Sequence, residues 1–245
     1  MTEVAEDGGV AEGGQGSRGW RVVSVVGEVF ITLGVVLLLA VVYEVWWTNV
    51  QADQRAEEQR DELIGSWTQA QSAPDGDVPA ELAPIPSQAF GLMYIPRLRD
   101  DVWETPLIEG VSDADLANGI GHFPETVLPG EVGNTSFAGH RATNGEPLKG
   151  IDLLQPGDLV YIQTATGWYT YELREDQIVL PTDVWVVDPV PGQPGAVPQE
   201  ALLTLVTCNP RWGSTERWIW WGDLVDERSQ ADGPPDEVLQ IQGGA

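Results

Sequence analysis

The sequence predicts an all-β domain held behind one N-terminal membrane helix. Two observations carry that prediction. Residues 22–43 (VVSVVGEVFITLGVVLLLAVVY) are nearly all apolar. Beyond about residue 90 the chain breaks into about eight short β-rich runs punctuated by Gly and Pro, with no long amphipathic helix between them. Such a pattern closes as a barrel or stacks as a sandwich. A length of 245 residues suits one sizeable domain with appendages.

In chain order, residues 1–19 are rich in Gly, Glu and Ala and are expected to be disordered. The segment 20–47 is expected to cross a membrane. As a helix, residues 22–43 would span about 33 Å, against a bilayer core of about 30 Å. Glu28 lies close enough to one end to reach the headgroups. Trp20 on one side and Tyr43, Trp46 and Trp47 on the other suit the two interfaces. A cleaved signal peptide needs small residues after the apolar run, and here Tyr-Glu-Val-Trp-Trp follows. A buried helix would not normally follow a disordered start and precede a polar helix. Arg18 and Arg21 flank the apolar run closely, while Arg55 and Arg60 are farther off and amid acids. Proximity therefore places the N-terminus in the cytoplasm and the domain outside the cell.

Residues 48–89 read as a juxtamembrane helical stalk followed by a linker that spaces the domain from the membrane. The stretch 51–67 is charged and helix-favouring, and 71–88 holds four prolines. Strands are expected at 92–95, 134–138, 159–164, 168–173, 177–180, 184–187, 203–208 and 217–225. Ala165-Thr166-Gly167 marks a hairpin turn, and 113–118 a short helix. The domain is expected to end near residue 228, with 229–245 a polar, disordered tail.

A net charge of −26, with Lys149 the only lysine, repels phosphate backbones and argues against a nucleic-acid partner. There is no EF-hand loop and no Gly-rich loop ending in Lys-Ser/Thr. One Cys and two His at positions 208, 122 and 140 lack the paired spacing of zinc sites. No metal or other cofactor is expected.

The remaining chemistry is a short list. Cys208 is the only cysteine, so it forms no internal disulfide, and it closes the β-branched run TLVTC before Asn209-Pro210. Arg217 opens the next run. If the two strands are antiparallel neighbours, a permanent cation sits beside the thiol, able to stabilise an oxyanion or the thiolate but not to act as a base. His140 follows NTSFAG at another strand end, and an imidazole beside a thiol is the usual acid/base partner in acyl transfer. Each group also has a plain structural reading: a small buried hydrophobe for Cys208, a satisfied turn residue for His140, a solvated charge for Arg217.

Three strings bear on that choice. TLVTCNP (204–210) is followed by Arg217, and Phe137-Ala-Gly-His-Arg141 lies upstream. Together they resemble the sortase family of cysteine transpeptidases. GHFPETVLPGEVGN (121–134), Tyr94-Ile-Pro-Arg97, Leu154-Gln-Pro-Gly-Asp158 and the N-terminal anchor resemble the class E, actinobacterial group. The resemblance covers residues 90–228 and, more loosely, the anchor. It implies an all-β, eight-stranded closed barrel with short helices. It also implies Cys208 as nucleophile, His140 as general acid/base and Arg217 as oxyanion or substrate-positioning group. His122 and Thr207 are candidates for shaping the substrate groove, His122 with the alternative of ordering the loop before Asn134. The WIWW run 218–221 is more aromatic than the aliphatic strand expected of the family.

The implied substrates are secreted proteins with a C-terminal Leu-Ala-x-Thr-Gly or Leu-Pro-x-Thr-Gly signal, cut between Thr and Gly. The implied acceptor is an amine of a peptidoglycan precursor. Three alternatives stay open: a membrane-tethered cysteine hydrolase, a pilus-polymerising member of the family, and a binding module that kept the barrel with an unreactive thiol.

Overall fold

The computed structural model describes residues 16–71 and 84–243. Of the start expected to be disordered (1–19), residues 1–15 lie outside the described residues, as does most of the Pro-rich linker (72–83), while 16–19 are helical and belong to α1. Helix α1 runs from Gly16 to Gln71. Its 18-residue apolar window has a mean hydropathy of 2.7 and is not buried in the protein. Among the described residues it is the one helix long and apolar enough to cross a membrane.

The chain divides into two units, residues 1–46 and 47–245. The second holds the rest of α1 and eight strands: β1 (Ala89–Tyr94), β2 (Thr105–Glu109), β3 (Ile120–His122), β4 (Gly133–Ala138), β5 (Leu159–Thr164), β6 (Gly167–Val179), β7 (Ala201–Asn209) and β8 (Glu216–Ser229). They close into a barrel in the order β1-β2-β3-β4-β7-β8-β6-β5. The β2–β3 and β4–β7 pairs are parallel and the others antiparallel. The fold class read from the sequence is the one observed.

Alternation explains the core. Leu203 and Leu205 of β7, Phe137 of β4, Ile162 of β5 and Trp220 of β8 point inward with Met93, Leu107 and Tyr171. Outside the barrel, Val206, Ile219 and Trp221 pack with Val179 and Val186 in a second apolar group beneath the β6–β7 connection. The three tryptophans of the WIWW run each find a hydrogen-bond acceptor, as an indole N–H in a packed setting requires. Trp218 donates to Asp176 Oδ2 (2.8 Å), Trp220 to the Ile151 carbonyl (3.3 Å) and Trp221 to the Val186 carbonyl (3.2 Å).

Four expectations are corrected. The runs 168–173 and 177–180 are one strand, β6, continuous through the exposed Arg174-Glu-Asp176 stretch because β8 pairs along its whole length, with a register shift between Leu173 and Glu175. The β-branched run Val184–Val187 is a 3₁₀ helix, not a strand. Its Val186 carbonyl accepts from Asn134 Nδ2 (3.4 Å), Thr204 Oγ1 (3.3 Å) and Trp221 Nε1, which pins the turn onto the barrel. The tail is structured as far as Gly243: helix α3 (Asp236–Gly243) buries Val238 completely, and Glu237 Oε2 accepts from the Tyr161 hydroxyl. The juxtamembrane segment is not a free stalk. Ala52 and Leu63 are buried, and Leu63 and Trp67 pack with Leu92, Tyr94, Trp168 and Val238. The short helix expected at 113–118 is α2 (Asp113–Leu116), closed by a Ser112–Asp115 capping box.

Two of the class E strings meet in space. Arg97 of YIPR forms a two-pronged ion pair with Asp158 of LQPGD; its Nη2 lies 2.6 Å from Oδ1, and its Nε engages Oδ2. This fork suits a planar guanidinium and ties the end of β1 to the turn before β5.

Candidate active site

The site forms at one end of β4, β7 and β8. Pro210, which has no N–H to donate, follows the last residue of β7. Cys208 is therefore held by a regular ladder yet remains half-buried. Across the antiparallel β7–β8 pair its partner is Arg217. Asn209 Nδ2 donates to Glu216 Oε2 (2.6 Å) and fastens the next pair along the ladder.

On the other side, β4 runs parallel to β7 with Ala138 opposite Val206. The Gly139 N–H donates to the Val206 carbonyl (3.1 Å), and Thr207 Oγ1 donates to the Gly139 carbonyl (2.6 Å). Two residues past that last pair, His140 follows on one side and Cys208 on the other. Gly139 is required by space: a Cβ there would stand 2.9 Å from Leu148 Cδ1 and Cγ, and Leu148 is fully buried.

His140 is half-buried. Burial holds its pKa below the ordinary 6.5, partly opposed by the Asp113 carboxylate. The free protein at neutral pH thus presents a neutral imidazole, one nitrogen of which can take a proton. Asn144 Nδ2 lies 3.5 Å from His140 Nε2, a long contact. Arg217 is half-exposed. Its Nη1 is spent on the carbonyls of Ser214 (3.0 Å) and Glu216 (2.9 Å). Among the described residues its Nε and Nη2 have no hydrogen-bond partner, and both are donors.

Arg141, which the sequence offers only as the residue after His140, proves to be the clasp between the two strand ends. It is 7% exposed. Its Nη1 donates to Asn209 Oδ1 (2.7 Å) and approaches the Cys208 carbonyl (3.5 Å), while Nη2 reaches Asp152 Oδ1 (3.1 Å). The guanidinium lies 4.9 Å from the Trp218 ring centroid. The signal available beforehand was position alone: a cation directly after the candidate base.

The two groove candidates are both buried. Thr207 is 2% exposed, and its hydroxyl is engaged by Gly139. His122 is 1% exposed. Its Nδ1 is 2.8 Å from Glu109 Oε2, and its Nε2 is 3.1 Å from both the Val127 carbonyl and Thr126 Oγ1. Neither side chain is open to a ligand. Both fit a structural part, His122 fastening the loop that leads to Asn134.

Comparison with known proteins agrees with this fold. Residues 93–225 match the sortase domain family. Sortase SrtE1 of Streptomyces coelicolor is 36% identical over 222 residues, which cover 87% of this chain and 60% of the relative. Sortase SrtE2 of the same organism is 33% identical, with 98% of each chain covered. The crystal structure of Sortase E1 from S. coelicolor with a tripeptide in the active site superposes with a TM-score of 0.56 at 35% identity, covering 62% of this chain and 98% of that one. This chain, with a closed eight-stranded barrel and a cysteine at the end of β7, belongs to the sortase family of cysteine transpeptidases.

Proposed function

We propose that this protein is a membrane-anchored transpeptidase that cuts a sorting signal of the Leu-Ala-x-Thr-Gly or Leu-Pro-x-Thr-Gly kind between Thr and Gly. It then transfers the acyl protein to an amine of a peptidoglycan precursor. The observation that carries this reading is the pairing of Cys208 with Arg217 across β7 and β8, with His140 two residues past the end of β4 and Cys208 two residues past the Val206 that pairs with that end. The apolar part of α1 serves as a single-pass anchor, with the N-terminus in the cytoplasm and the barrel outside the cell. The tripeptide in the active site of the S. coelicolor protein supports a peptide substrate.

The residues perform the reaction as follows. Neutral His140 takes the Cys208 proton as Sγ attacks the Thr carbonyl carbon. Arg217 offers a fixed positive charge to the oxyanion of the tetrahedral intermediate. The intermediate collapses, the Thr–Gly C–N bond breaks, and His140 returns its proton to the leaving Gly amine. A thioester on Cys208 remains. The acceptor amine attacks it and loses a proton to His140, and Cys208 leaves and is reprotonated. The net change is one amide bond exchanged for another, with no oxidant or cofactor consumed.

The test uses the full chain in detergent, a quenched Leu-Ala-x-Thr-Gly peptide and a Gly-based amine, with products read by mass spectrometry and Cys208→Ala as control. A peptide–amine adduct that needs Cys208 is expected. Free acid in spite of excess amine would make the protein a hydrolase, and an inert thiol would make it a binding module.

A further inference from the structure

The barrel-bound half of α1 holds the loop that follows His140. In that loop Asn144, Gly145 and Glu146 all have positive φ, at 53°, 80° and 40°. Glycine adopts this conformation freely and Asn tolerates it, but for Glu it is strained. Three such residues in a row persist only where their surroundings hold them. The Gly145 N–H donates to Asn49 Oδ1 (3.1 Å). Asn49 Nδ2 lies 3.5 Å from Glu146 Oε1. Ala52, one turn on and 3% exposed, lies 3.4 Å from where a Gly145 Cβ would stand. The other oxygen of Glu146, Oε2, accepts from Arg211 Nη2 at 2.9 Å. Arg211 sits in the β7–β8 turn, three residues after Cys208.

We propose that Asn49, on the membrane-proximal part of α1, is a positioning residue for both catalytic loops. Through Gly145 and Glu146 it fixes the loop that carries His140, and through the Glu146–Arg211 ion pair the loop that follows Cys208. The inference rests on the assignment of His140 and Cys208 as the reacting groups. It makes the anchor helix a working part of the site instead of a tether alone. The chemical need is plain: one imidazole must take a proton from the thiol and give it to an amine, and small errors of placement are expensive in rate.

The experiment compares full-length variants in detergent. It reads kcat and KM for peptide transfer, the pH profile of Cys208 alkylation by iodoacetamide, and the thermal midpoint. Asn49→Ala should lower kcat on the order of 10-fold with little change in KM, and should shift the alkylation profile. Ala52→Leu, which keeps Asn49 but pushes the helix off Gly145, should act in the same direction and serves if Asn49→Ala does not fold. The double variant Asn49→Asp/Glu146→Gln should recover only the part of the loss that belongs to the His140 loop, because the new carboxylate still accepts from Gly145 and now accepts from the new amide, while the charge of the Glu146–Arg211 pair is given up. Arg55→Ala is the control on the same helix; Arg55 is exposed and among the described residues bonds only to Gln51 Oε1, and its loss should change nothing. Wild-type kcat and a wild-type alkylation profile in Asn49→Ala, even with a lower thermal midpoint, would overturn the proposal. If the unaltered protein transfers no peptide, the proposed function has failed. The alkylation profile still reports the coupling independently.

Discussion

Arg141→Ala should damage stability and catalysis together. The guanidinium is 7% exposed, so its loss is not made good by water at the surface. Its bond to Asn209 Oδ1 at 2.7 Å is charge-assisted, a kind worth about 1.5–3 kcal/mol. The cation–π contact with Trp218 adds about 0.5–1 kcal/mol. The Asp152 contact is discounted to under about 1 kcal/mol, because that carboxylate is 48% exposed and screened. The sum is about 3 kcal/mol. In urea, with a slope of about 2–3 kcal/mol/M, the unfolding midpoint should fall by about 1–1.5 M. Catalysis should suffer beyond the loss of folded protein. With Asn209 and the Cys208 carbonyl released, kcat/KM measured well below the midpoint should drop roughly 10- to 100-fold. Arg141→Lys should restore little, since a point charge cannot fork between Asn209 and Asp152. An Arg141→Ala protein with an unchanged midpoint and unchanged kcat/KM would refute the reasoning.

Other consequences follow from neighbouring contacts. The depressed pKa of His140 means the folded protein resists its protonation. This group's contribution to stability is full above pH 6.5 and is lost as pH falls through the folded value. The acid limb of kcat/KM should therefore lie below pH 6.5, and Asp113→Asn, which removes the opposing carboxylate, should move it lower still. Gly139→Ala should press on buried Leu148, cost about 1–3 kcal/mol by overpacking, and lower peptide transfer by shifting His140; a thermal melt and an activity assay check both. Val238→Ala should cost about 2 kcal/mol and raise the protease sensitivity of the C-terminal segment, since this fully buried side chain docks α3.

The legible parts of the fold were those where alternation and turn chemistry agree. The run 159–164 was placed to the residue, and the strands bearing the site to within a few residues at each end. The cysteine and the histidine stand out because the chain has one Cys and two His, and Arg217 because it opens the run after Cys208. What escaped depended on distant partners. β3 is three residues long, and the stretch that forms β2 has a proline at its second position; both exist as strands because neighbours pair with them. Val184–Val187 has strand-forming side chains but is turned by donors from β4, β7 and β8 that meet at one carbonyl. The tail reads as polar on average, and a single buried valine decides its fate. His122 carries no local mark of burial, and Glu109, thirteen residues back, is what holds it. Arg141 and Asn49 make contacts across 68 and 96 residues respectively, which no local pattern encodes.

The central claim is that Cys208 carries the acyl group. Its most direct test is the intact mass of the full-length protein after incubation with a Leu-Ala-x-Thr-Gly peptide and no added amine. The account predicts a mass gain equal to the peptide acid ending at Thr less one water, mapped to Cys208, removed by hydroxylamine and absent in Cys208→Ala. Peptide cleavage or transfer that proceeds without this thioester, or that persists in Cys208→Ala, would contradict it.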